Sequence, residues 1–82
     1  MKYVMLYALS TCPFCKMAKH FFESRNIPYN FVDVDLLPEE EQEKTVAEVQ
    51  RISGRRAFPV IVIGEEVIVG YDELRIREAL EK

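Results

Sequence analysis

The sequence predicts a single α/β domain of element order βαβαββα, with a mixed four-stranded sheet flanked by helices. Its 82 residues suit one compact domain that spans positions 1–82. A strand-like run, an amphipathic helix and a second strand-like run open the chain, and such a unit implies parallel strands with a right-handed crossover. Two short apolar runs joined by Gly64-Glu65 indicate a hairpin of type II′, which would add antiparallel strands to the sheet.

The first strand and the first helix carry the clearest patterns. Tyr3–Leu9 is almost entirely apolar, which is typical of a strand buried on both faces. Pro13–Arg25 is predicted to be helical, because a step of about 100° per residue separates its apolar side chains from its charged ones. The apolar arc holds Met17, Ala18, Phe21 and Phe22 with Cys15 at its border, and the opposite arc holds Lys16, Lys19, His20 and Glu23.

Helix-breaking residues set the remaining boundaries. Asn26 and Pro28 end the first helix, and Gly54 ends the second, in which Pro38 suits the first helical position. The later elements are predicted to be a strand at Tyr29–Val34, a helix from Leu36–Pro38 to Gly54, strands at Val60–Ile63 and Glu66–Val69, and a helix from about Asp72 to Glu81. The side chains expected to face the core from these helices are Val46, Val49, Ile52, Leu74 and Leu80.

The composition excludes several classes of protein. With 49% hydrophobic and 30% charged residues, the chain is neither disordered nor collagen-like, and two cysteines do not make a disulfide scaffold. A net charge of -3 argues against nucleic acid as a partner. No apolar run approaches the roughly 18 residues of a membrane helix, and the start of the chain lacks a signal-peptide pattern. We therefore expect a cytoplasmic protein without a membrane partner.

The two cysteines, Cys12 and Cys15, fall where the first strand passes into the first helix. If Pro13 is the first helical residue, Cys12 is the N-cap, and its sulfur faces unpaired backbone N–H groups at the positive end of the helix dipole. That environment stabilises a thiolate, so we predict that Cys12 is the nucleophile. Cys15, one turn into the helix, is expected to be less exposed and to resolve a mixed disulfide formed at Cys12.

Two structural alternatives remain for the pair. A disulfide that closes such a short loop would stabilise the fold by only about 2 kcal/mol and would rarely stay oxidised in the cytosol. A zinc site would need further ligands, whereas the chain has no second cysteine pair and its only histidine, His20, lies on the polar arc. A redox motif is favoured, because a Cys-x-x-Cys spacing in a βαβ context is typical of thioredoxin-like proteins.

Three segments resemble the glutaredoxin family in order and spacing. They are Thr-Cys-Pro-Phe-Cys (11–15), Ser-Gly-Arg-Arg-Ala-Phe-Pro-Val (53–60) and Val-Gly-Tyr-Asp-Glu-Leu (69–74). The resemblance implies a thioredoxin-like fold in a monomer that reduces disulfide-containing proteins or glutathione mixed disulfides. It also implies glutathione as co-substrate, no tightly bound cofactor or metal, and a cis peptide bond before Pro59.

The same resemblance implies roles for individual residues. Around the catalytic set of Cys12, Pro13 and Cys15, the residues expected to bind glutathione are Thr11, Phe14, Arg55, Phe58, Pro59, Gly70, Tyr71 and Asp72. Asp72 is equally suited to cap the last helix, and Arg55 and Arg56 could equally lie in a solvated loop. Lys16, Lys19 and His20 make one face of the first helix basic, which could attract acidic partners or simply be solvated.

The sequence departs from the family pattern at three places. Leu9 stands where members commonly carry a basic residue, Ala57-Phe58 replaces Thr-Val, and Val69-Gly70 replaces Gly-Gly. These departures keep two alternatives open: a redoxin that takes electrons from thioredoxin reductase, often to serve ribonucleotide reductase, and a protein that binds or carries an iron-sulfur cluster.

Overall fold

The computed structural model describes residues 2–82 and confirms the predicted α/β architecture. The strands are β1 (Val4–Ala8), β2 (Asn30–Asp33), β3 (Val60–Ile63) and β4 (Glu66–Val69). The helices are α1 (Pro13–Ser24), α2 (Glu39–Ser53) and α3 (Glu73–Glu81), and a single 3₁₀ turn, Val34–Leu36, follows β2. The order of strands and α-helices is therefore βαβαββα.

The four strands form one mixed sheet in the order β2-β1-β3-β4. β1 runs parallel to β2 and antiparallel to β3, which pairs antiparallel with β4. Tyr7 near the end of β1 lies opposite Val60 at the start of β3, and Val60 lies opposite Val69 at the end of β4. One end of the sheet therefore brings together four segments. They are the three that follow β1, β2 and β4 and the one that precedes β3.

One face of the sheet carries the main core. Strand register places Val4, Leu6 and Ala8 beside the isoleucines of β3 and β4 on this face. The buried cluster that they form with α1 and α3 includes Ala18, Phe21, Phe22, Ile61, Ile63, Ile68, Ile76 and Ala79. The hydrophobic effect of burying this contiguous apolar surface is the principal stabilising contribution to the fold.

The other face is less completely covered. Met5 and Tyr7 point to this side and stay half-buried, so the prediction that the first strand is buried on both faces was wrong. A groove on this side is lined by Met5 and Tyr7 together with Thr45, which places α2 over this face. Within α2, Val49 is fully buried, while Val46 and Ile52 are only half-buried because one helix cannot cover a four-stranded face.

Two apolar side chains that were expected in the core are exposed. Met17 is 48% exposed, because it lies at the margin of the arc that buries Ala18 and Phe22, next to the polar side of α1. Leu74 is 64% exposed, because Ile76 and Ala79 define the buried side of α3 and Leu74 projects from the opposite side. Leu80 packs against the core as predicted.

The turns follow the predicted chemistry. Gly54 ends α2 in the left-handed conformation with φ of 78°, and its N–H donates to the carbonyl oxygen of Gln50. Gly64 has φ of 60° in the hairpin, as a type II′ turn requires at its first central position. Pro38 is the N-cap of α2 and not its first helical residue.

No helix within residues 2–82 has the length and apolar character needed to cross a membrane.

Candidate active site

Cys12 is the N-cap of α1. Its backbone is extended, with φ of -82° and ψ of 120°, and Pro13 follows as the first helical residue. The Cys12 Sγ accepts a hydrogen bond from the backbone N–H of Cys15 at 3.3 Å. Proline lacks an N–H and favours the first helical position, so it leaves this end of the helix open for the sulfur. The half-buried sulfur thus lies at the positive end of the helix dipole, as predicted.

Cys15 occupies a different environment one turn into the helix. Its side chain is fully buried, and its Sγ accepts a hydrogen bond from the backbone N–H of Leu9 at 3.4 Å. Burial, followed by the hydrogen bond with the Cys12 side chain, raises the pKa of the Cys15 thiol from 9.0 to about 12. Cys15 is therefore a protonated thiol at neutral pH and is less accessible than Cys12, as the sequence predicted.

The loop that leads from β1 into α1 is fixed at both ends. The backbone N–H of Cys12 donates to the carbonyl oxygen of Leu9 at 3.2 Å. Asp35, beyond the end of β2, accepts hydrogen bonds from the Ser10 N–H at 2.7 Å and from the Ser10 hydroxyl at 2.5 Å. The hydrogen bond from the Ser10 side chain, followed by that from the Ser10 backbone, lowers the pKa of Asp35. The ionised carboxylate thus ties this loop to the neighbouring parallel strand.

Asp35 was missed in the sequence, although a signal for it existed. β1 and β2 are parallel, and Ala8 lies opposite Asp33. Two residues further along each chain, at the same register, come Ser10 and Asp35. Residues that follow adjacent parallel strands lie at the same end of the sheet, so the strand register would have predicted the contact between Ser10 and Asp35.

The Phe58-Pro59 peptide bond is cis, as the resemblance implied. Pro59 is buried and immediately precedes β3, and its carbonyl oxygen accepts a hydrogen bond from the Gly70 N–H at 2.8 Å. Gly70 has φ of 87°, a left-handed conformation that favours glycine. A Cβ atom added at this position would have no other atom within 4 Å. Gly70 is thus required by its backbone conformation and not by close packing.

Several of the predicted site residues surround one end of the core. Cys12, Phe58 and Tyr71 are half-buried and pack against the same buried cluster that contains Cys15. The Tyr71 ring meets the Phe21 ring edge-on, with centroids 6.5 Å apart. The helix start, the segment before β3 and the segment after β4 therefore contribute to one site.

The remaining predicted residues lie on the surface. Phe14 is 59% exposed, and Thr11 and Pro13 are also exposed. Asp72 is the N-cap of α3, with its Oδ1 accepting a hydrogen bond from the Arg75 N–H at 3.2 Å. This contact confirms the capping alternative and uses one carboxylate oxygen.

Arg55 and Arg56 lie in the exposed turn after Gly54. The Arg55 backbone is held through both its N–H and its carbonyl oxygen by the Ser53 hydroxyl, at 3.3 and 2.9 Å. No group of three His, Cys, Asp or Glu side chains that could hold a metal occurs in the described part of the chain.

Comparison with known proteins identifies the relatives of this arrangement. The sequence model of the glutaredoxin family matches residues 4–68. An uncharacterized glutaredoxin-like 8.6 kDa protein in the rubredoxin operon of Clostridium pasteurianum is 33% identical over 79 residues, which cover 96% of this chain and 99% of the relative. A glutaredoxin from Neisseria meningitidis is 35% identical over 75 residues, covering 90% of this chain and 82% of that protein.

Solved structures show the same relationship. The glutaredoxin of Archaeoglobus fulgidus superposes with a TM-score of 0.93 at 34% identity, covering 100% of this chain and 89% of that one. The methanoredoxin of Methanosarcina acetivorans superposes with a TM-score of 0.90 at 37% identity, covering 98% of this chain and 85% of that one. The superposition on the Archaeoglobus fulgidus protein covers the whole of this chain and therefore all of its strands and helices. The chain belongs to the glutaredoxin family and has its thioredoxin-like fold.

Proposed function

We propose that this protein is a dithiol thiol-disulfide oxidoreductase in which Cys12 is the nucleophile and Cys15 resolves the intermediate. The observation that carries the proposal is the pairing of a half-buried N-cap sulfur, which accepts the Cys15 N–H at 3.3 Å, with a fully buried second thiol. A thiolate is the reactive form of cysteine, and a helix N-terminus stabilises it. The cytosol is the compartment in which such a dithiol is kept reduced.

The first step forms a mixed disulfide between Cys12 and one half of the substrate. The Cys12 thiolate attacks a substrate disulfide, a bond forms between Cys12 Sγ and one substrate sulfur, and the other substrate sulfur leaves as a thiolate that takes up a proton. The second step needs Cys15 as a thiolate, although its pKa lies near 12 in the reduced protein. The mixed disulfide removes the Cys12 charge and its hydrogen bond, which are two of the causes that raise this pKa. Reaction at Cys12 therefore removes two causes that hold the pKa of Cys15 high, while burial, the largest cause, remains.

The cycle closes through an external reductant, for which we propose glutathione. Cys15 loses its proton and attacks Cys12 Sγ, which releases the second substrate thiol and leaves a Cys12–Cys15 disulfide. Two glutathione molecules then supply two electrons and are oxidised to glutathione disulfide. An acidic tripeptide of this kind would meet the free N–H groups at the start of α3 and the exposed side chain of Arg55, three residues before Phe58.

The residue at position 9 makes the electron donor the first thing to measure. Leu9 lacks the cation that family members commonly present, and its backbone instead binds Cys12 and Cys15. Turnover of hydroxyethyl disulfide should therefore be measured in parallel with glutathione and its reductase and with thioredoxin reductase. The proposal expects turnover with glutathione, whereas turnover with thioredoxin reductase alone would replace glutathione as the donor.

Two matched variants test the roles of the thiols in that assay. Cys12→Ser should lower turnover by about 1000-fold or more, because no other residue supplies the attacking sulfur. Cys15→Ser should retain turnover with glutathione, since a second glutathione can resolve the mixed disulfide, but should lose reduction of a protein disulfide such as insulin. Equal losses in both variants on both substrates would contradict the assigned roles.

A further inference from the structure

A groove of about 350 Å³ runs along the outer side of α1 toward the start of α3, and we name it the α1 groove. Phe21 is buried at its floor and meets the Tyr71 ring there, and Met17 forms an exposed apolar rim. The other lining residues are Lys16, His20, Ser24, Arg25 and Glu73. The groove thus combines an aromatic floor with three basic side chains and one carboxylate.

The two cationic side chains of the α1 groove, Lys16 and Arg25, lack counter-ions in the fold. Within residues 2–82, none of Lys16, His20 and Arg25 forms a salt bridge. Arg25 instead lies over the Phe21 ring, with its guanidinium carbon 4.5 Å from the ring centroid. Lys19 differs, since its ammonium group pairs with Asp33 at 2.9 Å. The Lys16 and Arg25 cations are therefore available to an acidic partner.

Apart from Glu73, the acidic groups of the chain lie outside the lining of the groove. Glu23 is the only acid in α1, and its Oε2 accepts a hydrogen bond from the Tyr29 hydroxyl at 2.7 Å. Glu73 in the groove accepts a longer hydrogen bond from the Tyr71 hydroxyl, at 3.4 Å. The acidic first turn of α2 lies over the other face of the sheet. A net charge of -3 therefore does not describe this groove, and an acidic partner is steered toward it.

The α1 groove begins one helical turn from the proposed nucleophile, because Lys16 is among its lining residues. Lys16 and His20 follow Cys12 at intervals of four residues, which places them on one side of the helix, and the Lys16 N–H donates to the Cys12 carbonyl oxygen at 3.1 Å. They lie roughly 6 Å and 12 Å along the helix axis from Cys12. An extended peptide rises about 3.3 Å per residue, so these distances correspond to about two and four residues of a bound substrate.

We propose that the α1 groove binds an acidic segment of a disulfide-containing protein substrate, with carboxylates two to four residues from the cysteine that Cys12 attacks. This inference rests on the proposed function and names the substrate class of that site. The carboxylates meet Lys16, His20 and Arg25, and an apolar side chain of the segment packs against Phe21 and Met17. The groove acts on encounter and specificity, while the exchange chemistry stays with the two cysteines.

The experiment uses nine-residue peptides with a central cysteine joined in a mixed disulfide to 5-thio-2-nitrobenzoate. One peptide carries Glu two and four residues from the cysteine on both sides, and its control carries Gln. Attack by Cys12 forms a disulfide with the peptide sulfur and releases the coloured thiolate, so stopped-flow absorbance measures the rate without an external reductant. The Glu peptide should react about tenfold faster than the Gln peptide at low salt, and about 1 M salt should remove most of this preference.

Variants locate the preference on the protein. Lys16→Gln combined with Arg25→Gln should reduce the Glu-to-Gln rate ratio to about 1–2, because the counter-charges are gone. Lys44→Gln combined with Arg51→Gln is the matched control, since both residues are exposed cations on α2 and the change in net charge is the same, and it should keep the full ratio. Equal rates for the two peptides in the unmodified protein, or a ratio that the double variant leaves unchanged, would overturn the inference.

A binding measurement separates this inference from the proposed function. The Glu peptide with Ser in place of its cysteine is titrated into Cys12→Ser protein, and NMR shifts should appear at the Lys16, His20 and Arg25 amides. If these shifts appear while the turnover assays give no activity, the groove assignment holds and the oxidoreductase proposal fails. Turnover without any shift or charge preference would leave the oxidoreductase proposal standing and reject the acidic substrate.

Discussion

The first turn of α1 holds two cysteines in opposite environments, although only two residues separate them. Cys12 caps the helix, is half-buried and accepts an N–H bond, while Cys15 is fully buried with a pKa raised to about 12. The difference arises from helix geometry: the N-cap residue lies outside the helix and faces unpaired donors, whereas a residue one turn inside faces the core. One short motif can thus place an accessible thiol and a buried, protonated thiol one helical turn apart.

The largest expected contrast between the two thiols is their rate of alkylation. At pH 8 a thiol with a pKa of about 12 is thiolate to roughly 1 part in 10,000, and the fully buried Cys15 sulfur is also shielded from reagents, whereas Cys12 is only half-buried. Iodoacetamide should therefore modify Cys12 about 1000-fold faster than Cys15 in the folded, reduced protein. Mass spectrometry of peptides from a time course measures both rates.

Denatured protein is the control for this contrast, because unfolding removes both environments and should bring the two alkylation rates to within a few-fold. Comparable rates in the folded protein would show that Cys15 is accessible and ionised, and would contradict its assignment as a buried thiol.

The pH dependence of stability gives the next largest effect. Burial raises the pKa of Cys15 above its usual 9.0, so the folded state keeps a proton that the unfolded chain loses. The stabilisation by this thiol is fully present below pH 9 and is lost as the pH rises from 9 toward 12. The free energy of unfolding should fall by up to about 1.4 kcal/mol per pH unit in this range.

Cys15→Ala is the matched variant for this measurement. Tyrosine titration also destabilises the fold at high pH, because burial raises the pKa of Tyr29 to about 12 and also raises that of Tyr7, and this effect is common to both proteins. Urea unfolding at pH 8, 9.5 and 10.5 under reducing conditions should show the stability difference between wild type and variant changing steadily with pH. A difference that stays constant would mean that Cys15 does not hold its proton through the fold.

Capping by Cys12 predicts a smaller difference between two variants. Serine is a preferred N-cap and can accept the Cys15 N–H, whereas alanine cannot. Cys12→Ala should therefore be about 1 kcal/mol less stable than Cys12→Ser in urea unfolding at pH 7. Equal stabilities would show that a side-chain acceptor at position 12 does not stabilise the start of the helix. Both variants lack the thiol, so the comparison isolates the hydrogen bond.

Local patterns accounted for most of the fold and for the position of the cysteine pair. Pro13 alone identified Cys12 as the N-cap, since proline marks the first helical residue, and Gly64-Glu65 identified the hairpin. These features depend on neighbours in sequence, which the chain displays directly. The cis bond before Pro59 was different, because it followed from family resemblance and not from local physics.

Apart from the start of α2, where Pro38 is the N-cap, the errors concern how elements pack against one another. Met17 lies next to a buried arc and Leu74 lies opposite one, and periodicity alone does not state which side of a helix the neighbouring elements cover, or how wide an arc. Met5 and Tyr7 are half-buried because α2 alone covers that face of the sheet. The contact between Asp35 and Ser10 joins residues 25 positions apart and required the register of two parallel strands.

That contact yields the smallest predicted effect and the one most specific to the Cys12 environment. Asp35→Ala removes both hydrogen bonds to Ser10, so the loop between β1 and α1 loses its tie to the end of β2. Hydrogen exchange of the Ser10 and Cys12 amides should accelerate several-fold, while exchange in the strands stays unchanged.

Two further substitutions show whether the hydrogen bonds between Asp35 and Ser10 hold the N-cap residue in place. Ser10→Ala removes only the hydroxyl contact and should have a smaller effect, and Glu43→Ala, at an exposed position of α2, should have none. Faster exchange at Ser10 with an unchanged Cys12 amide would mean that the N-cap is held by the helix alone. Acceleration at both amides would mean that the position of the Cys12 sulfur depends on a carboxylate beyond the neighbouring strand as well as on its own helix.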